Sequence, residues 1–127
     1  MDIVIESTKQ FEKAIAKLDP GVREQVITKI NKLASSFSGE KADVYHQLHH
    51  LRWPLLPNGY ESSLYSLKSS GKWRVILAID EDPIFAQTIL TLFRVFKADD
   101  IDQEYQSLAE SLYQDFKHQN REMLEIS

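Results

Sequence analysis

His46, His49 and His50 sit in one cluster of the sequence. On a helix His46 and His50 would lie one turn apart, a spacing that zinc sites use. The chain has no cysteine and no His-Glu-x-x-His motif, so a metal site is not expected. The imidazoles are either solvated side chains or acid–base groups. Arg74 is the second point of interest. It follows Trp73 in a run where Trp73, Val75, Leu77 and Ile79 take every second position, so in a strand its guanidinium projects from the opposite face. If the apolar set faces helices, Arg74 reaches an open concave face. There it either grips an anion or pairs with a neighbouring carboxylate. Whether Arg94 shares that face depends on strand register, and a slip by one residue separates the two. Lys9, Lys13 and Lys17 recur every fourth residue, the pattern of a solvated helix face. Trp53 and Trp73 either stack on bases or fill a core.

Composition excludes several chemistries. Without cysteine there is no disulfide frame, no thiolate metal site and no thiol nucleophile. A formal charge of −4 does not favour attraction to a polyanion, so any nucleic-acid role must rest on a local basic patch. The acidic runs Glu81-Asp82 and Asp99-Asp100 with Asp102 would repel RNA nearby, and the first is also good turn chemistry. With 43% hydrophobic and 27% charged residues in a chain of 127, one folded domain over 1–127 is expected. The start, Met1 to Gln10, lacks a basic region followed by an apolar stretch, and no segment offers the ~18 apolar residues of a membrane span. A cytoplasmic protein is expected.

These groups need elements to hold them. Ile3, Val4 and Ile5 suggest a short buried strand over 2–6. Ser7 stands three residues before Gln10, as in a capping box, and Phe11, Ala14, Ile15 and Leu18 then recur at helical spacing. Asp19-Pro20-Gly21 ends that helix and starts another, whose apolar face is Val22, Val26, Ile27, Ile30, Leu33 and Ala34. The two helices should form a hairpin whose apolar stripe needs a sheet to cover it. Residues 35–61 read as an insertion or irregular segment, with 45–53 a short helix or irregular and turns at Pro54, Pro57 and Asn58-Gly59. Strands follow at 62–68, from Trp73 to Ile79, and from about Ile84 to Phe96, with short turns that make an antiparallel meander. Ile101, Tyr105, Leu108, Leu112 and Phe116 then mark an amphipathic helix over 99–122.

The run from Leu64 through Ser69-Ser70-Gly71-Lys72-Trp73-Arg74-Val75 to Leu77, together with the helical hairpin and Phe93-Arg94-Val95-Phe96-Lys97, resembles the RelE/ParE superfamily of bacterial toxins. The resemblance implies an α+β fold of RelE type: an N-terminal strand and two-helix hairpin packed on a twisted antiparallel sheet, plus a long C-terminal helix. It implies the toxin of a type II toxin-antitoxin pair, either a ribosome-dependent mRNA endonuclease or a poison of DNA gyrase. A protein-interaction module on the same fold is a third reading. In the nuclease branch Arg74 would clamp the phosphate, with Arg94 and Lys68 as further cations and Lys72 and Lys97 as substrate contacts. Leu64 and Ser66 stand where the family often has basic residues. No basic-plus-tyrosine motif follows Arg94, which leaves His46, His49, His50 or Tyr105 as acid–base candidates. Tyr105 lies in the apolar stripe of the last helix. The resemblance implies no metal or organic cofactor. It implies a cognate antitoxin, a ribosome and mRNA or else gyrase, and a dimer or a toxin–antitoxin hetero-oligomer.

Overall fold

The computed structural model describes residues 2–39, 41–51, 64–69 and 71–112. Trp53, the turns from Pro54 to Gly59, Ser70, and residues 113–122 of the expected last helix, with Phe116, lie outside them.

Strand β1 (Asp2–Ser7) leads into helices α1 (Lys9–Ala16) and α2 (Pro20–Ser35). The cap of α1 is Thr8, one residue later than expected, and its side chain accepts a hydrogen bond from the Phe11 amide at 3.1 Å. Ser7 instead donates to Glu12 at 2.9 Å. The hairpin is tied by Arg23, whose guanidinium donates to the carbonyls of Ile15, Ala16 and Leu18 at the end of α1. A cation there satisfies orphan carbonyls and opposes the negative end of the helix dipole. Arg23→Ala should therefore lower unfolding free energy by about 1.5–3 kcal/mol, the range for hydrogen bonds to charged groups. A urea titration checks it: the midpoint should fall with the slope unchanged.

A 3₁₀ turn (Ser36–Ser38) and helix α3 (Lys41–Tyr45) precede β2 (Leu48–His50), so a strand forms where the sequence showed no alternation. β3 (Leu64–Lys68), β4 (Trp73–Asp82) and β5 (Gln87–Lys97) form the meander. The sheet has the order β1-β5-β4-β3-β2. It is mixed rather than wholly antiparallel, because β1 pairs with β5 in parallel. As an edge strand β1 is also largely exposed rather than buried. β5 begins at Gln87, three residues later than expected. Asp82 accepts the amides of Ile84 and Phe85 and closes a turn that leaves both side chains in solvent.

Two apolar clusters lie on opposite faces of the sheet. Under the helical hairpin, Phe11, Val26, Ile30 and Leu33 pack on Leu67, Val75, Leu77 and Leu90. On the other face Leu51, Leu64, Ile76, Ala78 and Phe96 are covered by Leu108, with Phe93, Ile101, Tyr105 and Leu112 around them. Those last residues come from helix α4 (101–112), which follows a 3₁₀ turn (Ala98–Asp100). The face expected to be open is thus partly roofed by α4. Among the described residues no helix is long and apolar enough to cross a membrane.

Candidate anion-binding site

The faces of β4 and β5 are related by a bulge. Ile76 lies opposite Arg94, yet the next residue, Leu77, lies opposite Leu92, so Phe93 is one residue too many on β5. Strict alternation from Leu90 and Leu92 would place Arg94 beneath the helical hairpin. The extra residue reverses the parity, putting Val95 on the helix side and Arg94 on the α4 side. Arg94 therefore shares a face with Arg74, which pairs with Phe96, and with Lys68, which pairs with Arg74.

Lys68 and Arg74 are like charges held directly opposite one another, an arrangement that costs stability. They line a cleft of about 360 Å³ with His46 and His49. Gln47, Leu48, Ser66 and Ile101 complete its walls. His49 reaches it because β2 pairs His49 with Ser66, on the face of Lys68. His46 follows α3, its amide donating to the Ala42 carbonyl at 3.0 Å.

The Arg74 guanidinium is oriented by its own hairpin. Nη1 donates to the carbonyls of Gly71 at 2.8 Å and Trp73 at 2.9 Å. Nε and Nη2 have no hydrogen-bond partner among the described residues, which leaves two fork positions for an anion. Gly71 is where the turn needs it, at φ +54°.

The other expected site residues are spread around this cleft. Arg94 is engaged by Glu104 of α4 at 3.6 Å, and its Nε is buried without a hydrogen-bond partner among the described residues. Glu104 was not foreseen, although it lies three residues after Ile101 and four before Leu108, on the packed side of the helix. Tyr105 packs in the second apolar cluster with its hydroxyl buried, away from the cleft lining. His50 is on the helix side of β2, stacked on Tyr65 at 4.9 Å, so the pair 46/50 does not converge. Tyr45 lies 5.5 Å from the same ring. Burial pushes its phenol above the usual range, with Glu81 and Tyr65 adding to the effect. Lys72 is an exposed turn residue whose carbonyl accepts the Ala98 amide at 2.6 Å. Lys97 projects to the helix side, its Nζ 5.9 Å from the Trp73 ring centroid. Among the described residues no group of three or more His, Asp or Glu is placed to hold a metal.

No family model and no curated protein matches the chain. Solved structures do. A chain of the toxin–antitoxin complex RelBE2 from Mycobacterium tuberculosis superposes with a TM-score of 0.52 at 16% identity, over 76% of this chain and 99% of that one. The fold is shared with a chain of a toxin–antitoxin complex. The RelB–RelE antitoxin–toxin complex from Methanococcus jannaschii gives a TM-score of 0.49 at 16% identity, over 79% of this chain and 98% of that one. At such identity the likeness concerns the backbone and not the side chains of the cleft.

Proposed function

We propose that this chain is the toxin of a toxin–antitoxin pair, a metal-independent endoribonuclease that arrests translation by cutting mRNA on the ribosome. The observation that carries the reading is the Lys68–Arg74 pair facing two histidines in one cleft. Like charges set opposite each other without a neutralising carboxylate among the described residues of that lining are a poor way to stabilise a sheet and a good way to hold a phosphate. In the reaction the ribose 2′-oxygen attacks the adjacent phosphorus while the bond to the 5′-oxygen breaks. One histidine accepts the 2′ proton and the other donates a proton to the leaving oxygen. Arg74 Nε and Nη2, with Lys68, stabilise the charge that grows on the phosphate oxygens. His46 and His49 take the acid–base role rather than His50 or Tyr105, because those two do not line the cleft. Lys72 and Lys97 stand outside the cleft, so any contact they make is with RNA beyond the cleaved bond.

The fold shared with RelBE2 supports a protein partner, the cognate antitoxin. One observation favours a different activity. Arg94 is held by Glu104, and α4 covers Ile76 and Phe96, which narrows the cationic face to Lys68 and Arg74. That arrangement suits a non-nuclease binder of gyrase, or an interaction module on this fold.

Induced expression in a bacterial host separates the readings. Rapid loss of protein synthesis with mRNA cuts phased to codons is the expected result. An SOS response with intact translation indicates the gyrase reading, and unaffected growth indicates the interaction module.

A further inference from the structure

A second, larger groove runs beside α2, with a volume of about 840 Å³. Lys29 and Lys32, one helical turn apart, line it together with Lys68 and Ser69. Lys68 also lines the cleft of Arg74, so the two depressions meet at that side chain. Lys29, Lys32 and Lys68 make no ion pair with another described residue, and Glu24 is the one acidic residue among the described residues of the lining. A separate feature points to a ligand. Ser69 is 5% exposed, and its hydroxyl is buried without a hydrogen-bond partner among the described residues. A buried hydroxyl left unpaired costs free energy that an acceptor would recover.

We propose that this groove is a second binding site, which takes single-stranded RNA continuing out of the cleft, its phosphates on Lys29 and Lys32 and one phosphate oxygen accepting from Ser69. The proposal rests on the endoribonuclease reading, and it adds a path for the strand beyond the cleaved bond. The continuity through Lys68 argues for the same molecule in both depressions. Three lysines against one glutamate among the described lining residues give the groove a positive balance although the whole chain carries −4. No feature of the groove requires a particular base, so binding there follows charge rather than sequence.

The test uses the full chain and a fluorescein-labelled 12-nucleotide RNA carrying 2′-O-methyl groups, which cannot be cut. The Lys29→Gln/Lys32→Gln double variant should weaken binding about tenfold and reduce the slope of log affinity against log salt by about 1–2. Ser69→Ala should weaken it several-fold without lowering the melting temperature, since the hydroxyl has no partner to lose among the described residues. If the lysine variant binds within twofold of wild type while Arg74→Ala binds weakly, the groove is not on the RNA path and the cleft reading stands. Equal affinity for a labelled glutamate oligomer of the same charge would overturn RNA as the occupant in favour of an acidic protein segment. A wild-type chain that does not bind the RNA at all overturns the groove as an RNA site, while the cleft reading is decided separately by the codon-phased mRNA cuts on induced expression.

Discussion

If the proposed endoribonuclease reading holds, Arg74→Ala is expected to reduce mRNA cleavage by about 10²–10³-fold, the loss seen when one preorganised donor to a developing oxyanion is removed. Growth arrest on induction should disappear with it. The size of the effect follows from the way the side chain is held. Nη1 is already bonded to the Gly71 and Trp73 carbonyls, so the remaining fork faces its ligand without further ordering. Arg74→Lys should recover only part of the activity, because a point charge cannot make those two bonds and two more to phosphate at once. Folding should change much less. The alanine variant loses two hydrogen bonds to carbonyls, one of them exposed to water, and relieves the repulsion with Lys68. Its circular dichroism spectrum should match wild type, with stability within about 1–2 kcal/mol. A wild type that halts growth and an alanine variant that halts it equally well would remove Arg74 from the mechanism.

Leu108→Asp should have the largest effect on structure. Leu108 is buried against the cluster formed by Ile76, Ala78 and Phe96. Its replacement forfeits about 1.5–3 kcal/mol of burial and would place a carboxylate in an apolar site. Releasing α4 is less costly than burying that charge. The sheet should survive, because Phe11, Val26, Ile30 and Leu33 cover the opposite face independently of α4. Hydrogen exchange should show amides 101–112 losing protection while those of Ile79 and Leu90 keep theirs. The change also withdraws Glu104 from Arg94 and Ile101 from the wall of the cleft. Unchanged protection across 101–112 would show that Leu108 does not hold the helix down. Loss of protection throughout the sheet would show that the two clusters fold as one.

Much of the architecture was present in local patterns. The helical recurrence from Phe11 to Leu18 and from Val22 to Ala34, the Asp19-Pro20 break, and the alternation from Trp73 to Ile79 each depend on neighbours within a turn or two. So does the stripe of α4 from Ile101 to Leu112, and so does the placement of Arg74 opposite Trp73 and Val75. Strand β2 was hidden because three residues are too few to show a period, and its histidines resemble loop polarity. The parallel pairing of β1 with β5 joins residues more than eighty positions apart, and nothing in Ile3-Val4-Ile5 names its partner.

The sequence by itself determined α1, α2, the stripe of α4, the meander and the residue types able to meet a phosphate, since periodicity and side-chain chemistry are properties of short stretches. Only the tertiary structure decided which of those residues meet. The surplus residue at Phe93 moved Arg94 to the face of Arg74, and β2 carried His49 but not His50 into the cleft. The packing of α4 then gave Arg94 to Glu104. Each of these outcomes is set by register and packing between distant segments, where a shift of one residue exchanges the two faces of a strand.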